Sequence, residues 1–209
     1  MLKNTRQENT YVTILSDGTL RLPVEEGTEG AVRRDYETSD GKTGTKYEKV
    51  FTEISGFISN VEFKEGDFGK LLQVTMSEEG EEDVLVSIQT SSSFGEDLMK
   101  KLPSIDTQKQ VRLVPYAFTN DKGKNVKGLT VYQDGEKVKS FFQEGEGNET
   151  KMLHGYPEIP KVAKGKTISS DEWKMYFMQA RLFLVKYIEE NFKVVAPGEV
   201  VGKGADLDF

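Results

Sequence analysis

The sequence contains no cysteine. Disulfides, thiolate metal sites and a cysteine nucleophile are therefore excluded. It has one histidine, His154, which leaves little material for histidine relays or histidine metal clusters. No stretch approaches the roughly 20 apolar residues of a membrane-spanning helix. The opening "MLKNTRQENTYVTIL" has no apolar segment ahead of a cleavage site, so no leader and no membrane contact are expected. "NET" at Asn148 matches a glycosylation acceptor, and without a secretion signal it is read as coincidence. Positive charge is also scarce. Lys and Arg number 28 against 35 Asp and Glu, a formal net charge of -7. A uniformly basic nucleic-acid binder is disfavoured, whereas a basic groove on an acidic protein is not.

Catalytic signatures are equally thin. "GKT" over 165–167 resembles the end of a phosphate-binding loop, but Pro160 stands where that loop needs glycine. "GKT" over 41–43 fails in the same way at Tyr36. The acids of "SEEGEED" crowd a turn between apolar segments and read as a solvated charge run. A carboxylate-only metal site stays open at this level. No cofactor motif is found, and a non-enzymatic protein is expected.

What is present is mostly strand. Hydrophobic residues make up 36% and charged residues 30%, polar for a globular chain but sufficient for a core. "YVTIL" and "TLRLPV" flank "SDG" and predict a hairpin within residues 1–30, with "EEGTEG" as a linker. Residues 46–63 predict one long strand, bent at Gly56. "KLLQVTM" predicts a second strand with Leu72, Val74 and Met76 on one face, and "VLVSIQT" a third with Val84, Val86 and Ile88 inward. "SSSFGEDLMKKL" predicts a short helix with serine caps, early acids and late lysines. "VRLVPYAFT" and "VKGLTVYQ" predict a fourth and a fifth strand, with Pro115 at an edge or irregularity. "EKVKSFF" follows a "DG" turn as a further short strand. This order, with the helix between strands three and four, is that of a five-stranded OB-fold Greek-key barrel over 31–143. Residues 144–168 predict loop. Over 169–193, Ser169 and Glu172 fit a capping box ahead of a long amphipathic helix bearing Trp173, Tyr176, Phe177, Ala180, Phe183, Leu184, Tyr187 and Ile188. That helix either caps the barrel or joins two copies of the chain. Residues 194–209 read as tail.

Binding chemistry is legible in three places. Arg33, Arg34, Lys46 and Lys49 alternate with Tyr36 and Tyr47 around a glycine-rich loop, as an electrostatic funnel with stacking platforms requires. The fourth strand puts Arg112, Tyr116 and Phe118 on one face, suited to base stacking beside a cation. The loop "NDKGKNVKG" carries Lys122, Lys124 and Lys127 toward a backbone phosphate. Lys70, Gln73, Tyr132 and Lys139 complete the candidate set, Gln73 with Thr75, Ser87 and Gln89 forming an uncharged polar face. Each feature also has a plainer reading: a solubilising loop tip, barrel core at Phe118 and Val114, or a rim arginine at Arg112.

The phrases "FTEISGFISNVEFKEGDFGKLLQVTM" and "LPSIDTQKQVRLVPYAFTNDKGKNVKGLTVYQDGEKVKSFF" resemble the OB-fold single-stranded DNA-binding proteins of tailed bacteriophages. The resemblance covers roughly the central half of the chain, and the ending "GADLDF" matches by type. It implies a protein that coats single-stranded DNA in replication, recombination or repair, in the cytoplasm of a bacterial host. It also implies that Asp206, Leu207, Asp208 and Phe209 recruit replication or recombination proteins. This tail has fewer acids than many of that class, and the long aromatic helix is no general part of an OB-fold. Other readings are a β-domain for protein interaction or phage assembly, and a metal-dependent enzyme.

Overall fold

The computed structural model describes residues 10–38, 40–67, 69–145, 150–160, 167–196 and 198. Mainly β structure is organised in one large mixed sheet, with two helices against it. The sheet strands are β1 (Thr10–Ile14), β2 (Leu20–Val24), β3 (Val32–Glu37), β4 (Thr43–Phe51), β5 (Ile54–Gly66), β6 (Gly69–Ser77), β7 (Val84–Gln89), β8 (Val111–Thr119), β9 (Asn125–Gln133) and β10 (Glu136–Lys137). Helix α1 (Ser93–Lys101) lies between β7 and β8, and α2 (Ser170–Asn191) follows the sheet. A separate short ladder joins β11 (Gln143–Glu144) and β12 (Lys151–Met152), inside a stretch whose composition predicts loop. The ten strands run in the order β10-β9-β8-β5-β6-β7-β1-β2-β4-β3.

The closed five-stranded barrel predicted from the strand order is not what forms. Two edges that closure would need are occupied otherwise. The free edge of β7 is taken by β1, which pairs with it in parallel from Thr10↔Val84 to Thr13↔Ser87. On β9, the amide of Leu129 donates to the Asp97 carboxylate at 3.0 Å, and its carbonyl accepts from the Lys101 ammonium. Side chains of α1 therefore satisfy backbone groups that a strand would otherwise pair.

Three local signals are matched by the structure. Gly56 marks the point where β5 changes partner: Ile54 to Gly56 pair with β8, and Phe57 onward pairs with β6. Its φ of +155° is open to glycine, and a Cβ there would lie 2.9 Å from the Ser77 carbonyl oxygen. A register shift between Ile58 and Asn60 completes the bend. Pro115 stands opposite Leu129, whose amide and carbonyl point away to α1. The pair makes no ladder bonds, so the proline nitrogen faces the side that β5 has already left. The capping box of α2 is formed, with Glu172 N–H donating to Ser169 Oγ at 3.2 Å and Ser169 N–H donating to Glu172 Oε2 at 2.7 Å.

Two strand assignments differ from the sequence reading. The long strand over 46–63 is two strands, broken at Thr52 and Glu53, and β4 belongs with β2 and β3 instead of β5. The strand β3 is not legible in the sequence, because "VRRDYE" is charged at four of its six positions, three of them consecutive, and shows no apolar alternation.

The core lies between the sheet's inner face and the helices. Leu72, Val74, Met76, Val86 and Ile88 meet Phe94, Leu98, Met99 and Leu102 of the α1 region. Tyr176, Ala180, Leu184 and Ile188 of α2 are buried. Fully buried Phe142 makes edge-on ring contacts with Phe183 at 5.6 Å and Tyr187 at 4.9 Å, which ties α2 to the chain after β10. Burial pushes the Tyr176 phenol up to about 12. No helix among the described residues is long and apolar enough to cross a membrane.

Candidate nucleic-acid interface

The hairpin of β8 and β9 builds the strongest site. Residues directly opposite in an antiparallel pair share a face. The register Arg112↔Tyr132, Tyr116↔Gly128 and Phe118↔Val126 therefore puts Arg112, Tyr116, Phe118 and Tyr132 together on the outward face. The Arg112 guanidinium lies 4.5 Å from the centre of the Tyr132 ring, a cation–π contact. Tyr116 and Phe118 are 6.0 Å apart, tilted by 34°. Phe118 is 55% exposed. A phenylalanine so placed contributes nothing to the core, so the barrel-core reading does not hold for it. Tyr116 lies across Gly128, where any Cβ would come within 2.4 Å of its hydroxyl oxygen. Burial, together with the nearby Asp97 charge, raises the Tyr116 pKa.

Arg112 also makes an ion pair with Glu53 at 3.1 Å, both side chains nearly half exposed. Such pairs contribute about 0–1 kcal/mol, which a phosphate can displace. Nothing in the sequence signalled Glu53, since it lies in the break between two strands. A cleft of about 300 Å³ opens beside Arg112 and Tyr132, lined further by Ser55, Gln110 and Asp134.

The β8–β9 turn is a built structure. Asn120 Oδ1 accepts from the amides of Lys122 and Lys124, each at 3.0 Å, and Gly123 takes φ +71°. Lys122, Lys124 and Lys127 are exposed, and no ion pair among the described residues involves them. Lys127 stands opposite Ala117 and so belongs to the other face of the hairpin from Tyr116 and Phe118.

The second cluster has a different character. Arg34 donates through two nitrogens to the Glu48 carboxylate, at 2.8 and 2.6 Å, and Glu48 is only 3% exposed. The guanidinium holds the Glu48 carboxyl below its ordinary value, against the opposing effect of burial. Arg33 pairs with Asp35 at 3.0 Å. Lys46 lies 5.1 Å from the Tyr36 ring centre, and the Tyr47 hydroxyl donates to Glu26. Lys49 is half-buried in β4, opposite Leu22. These groups are largely paired among themselves. The two clusters approach each other through the β1–β2 turn: Asp17 binds Arg21 at 2.9 Å, and its charge also acts on Arg34. A Cβ on the next residue, Gly18, would lie 2.5 Å from the Ala117 nitrogen.

The remaining candidates are scattered. Lys70 is held by Glu189 of α2 at 2.9 Å and lies 5.6 Å from the Phe63 ring centre. Gln73 is buried, and its Oε1 has no hydrogen-bond partner among the described residues. Lys139 is exposed beside a separate groove lined by Lys101, Gln143 and Met152. Asp206, Leu207, Asp208 and Phe209 lie outside the described residues.

The geometry on the outward β8–β9 face is a pair of aromatic rings, a third ring under a guanidinium, and lysines at the adjoining turn. No family model, no curated protein and no solved structure matches this chain.

Proposed function

We propose that this protein is a non-enzymatic single-stranded DNA-binding protein that grips its ligand on the outward face of β8 and β9. The observation that carries the reading is the exposed Phe118 beside Tyr116, on the same face as the Arg112–Tyr132 pair. Successive bases stack on such rings, at about 1–3 kcal/mol per base and with little regard to base identity. Arg112 and the lysines at 122 and 124 meet the phosphate backbone. We read β5 to β9 with α1 as an opened variant of the OB architecture, a barrel that can be partly open. The resemblance to phage proteins supports a role in protecting unpaired DNA during replication, recombination or repair in a bacterial host. On the same ground Asp206, Leu207, Asp208 and Phe209 recruit partner proteins.

The test is fluorescence anisotropy with single- and double-stranded oligonucleotides over a range of salt. Single strands are expected to bind more tightly, with log K falling linearly against log salt. Replacing Lys122 and Lys124 together by alanine should flatten that slope by about 1.4, at roughly 0.7 per phosphate contact on a single strand. Equal affinity for duplex, or binding indifferent to salt, would overturn the reading.

A further inference from the structure

Helix α2 buries one side and leaves an apolar stripe on another. Met175, Met178 and Leu182 are 57%, 53% and 64% exposed. Their spacing of three and four residues places them in one line along the helix. The line continues to Asp171 at one end and Lys186 at the other, both largely exposed. Beyond Lys186 the same side carries Glu189, which is tied to Lys70 of β6 at 2.9 Å and ends the apolar line. The open seam therefore runs from residue 171 to residue 186, about 23 Å at the helical rise.

We propose that this seam is a self-association surface, on which α2 of a second copy of the chain packs antiparallel. The charge pattern selects that occupant. A two-fold axis near Met178 and Gln179 sets Met175 of one copy against Leu182 of the other. It also sets Asp171 of each copy against Lys186 of its mate, so both ends of the seam carry opposite charges by symmetry. A parallel arrangement in register would instead oppose Asp171 to Asp171 and Lys186 to Lys186. Antiparallel packing further aligns the two helix dipoles favourably. The existing contacts of Asp171 with Lys174 at 3.0 Å, and of Lys186 with Glu190 at 3.8 Å, are exposed pairs that are readily exchanged. The result is a two-fold dimer with two copies of the β8–β9 face.

The experiment is sedimentation equilibrium on the full chain, without nucleic acid. The unmodified protein is expected to form a dimer. Leu182→Glu should abolish it while leaving the circular dichroism spectrum and Tm unchanged, because this side chain is 64% exposed and lies outside the hydrophobic core of the described residues. Asp171→Lys and Lys186→Asp should each weaken the dimer by roughly fivefold. The double variant carrying both changes should recover it. A monomer at all concentrations, or a double variant no tighter than either single one, would overturn the proposal. The second outcome holds even if some other dimer forms. None of these readouts depends on DNA binding.

Discussion

The hairpins β3–β4 and β8–β9 look alike as strings of residues, and the fold uses them differently. Both alternate cations with aromatic rings around a glycine-containing turn. In β3–β4, Arg34 is locked by two bonds to a buried carboxylate, Arg33 is paired with Asp35, and Lys46 lies against Tyr36. In β8–β9, the ion pair of Arg112 with Glu53 is exposed, Phe118 faces water, and Lys122 and Lys124 project from the turn. The number of cations in a segment therefore says little about its capacity for a polyanion. What matters is whether acids reach those cations first, and those acids come partly from other strands.

This contrast can be broken or sharpened by measurement. The largest effect is expected at Phe118→Ala, which should weaken single-strand binding by about 1–3 kcal/mol, as seen by oligonucleotide titration. Its Tm should hardly change, since more than half of the ring is exposed in the free protein. If affinity is unaltered, the β8–β9 face is not the stacking platform. Next in size, and opposite in kind, Arg34→Ala should lower stability by about 1–3 kcal/mol in urea denaturation. This is somewhat below the ~3–5 kcal/mol of a fully buried broken pair, because Arg34 retains some contact with water. Single-strand affinity of the folded variant should stay near that of the parent protein. A large loss of affinity with no loss of stability would reverse the roles assigned to the two hairpins.

The smallest effect is a pH dependence at the same pair. Glu48 has its carboxyl pKa lowered in the folded protein, chiefly by the hydrogen bonds from Arg34. The stabilisation is therefore fully present above the ordinary glutamate value of 4.5 and is lost as pH falls through the folded value. The stability gap between the parent and Glu48→Gln should narrow when urea titrations at pH ~7 are repeated near pH ~3. A gap that widens on acidification would show that the carboxylate is not the stabilising form.

Much of the architecture was legible from local pattern. Alternation located β6, β7, β8 and β9, a serine cap with a charge gradient located α1, and a capping box with helical apolar spacing located α2. The sequence also marked Gly56 and Pro115 as irregular, and each turned out to stand where a strand changes or loses its neighbour. The aromatic and cationic face of β8 was visible because period-two alternation sorts a single strand into faces. The placement of Gln73 was not, because its burial depends on what covers the sheet there.

The elements, their caps and their apolar faces follow from local chemistry: backbone torsions, side-chain alternation and contacts between residues a few positions apart. Which edges meet is settled by long-range packing. Whether β7 pairs with β1 or closes a barrel, and whether Leu129 is satisfied by a strand or by Asp97 and Lys101, turns on competition between distant segments for the same hydrogen bonds. The pairing of Arg34 with Glu48 is of the same kind. A strand's edge and a side chain's charge are both general-purpose, and the sequence names many partners for each. Packing selects one, because only a few edges and charges can approach without leaving other polar groups buried and unpaired.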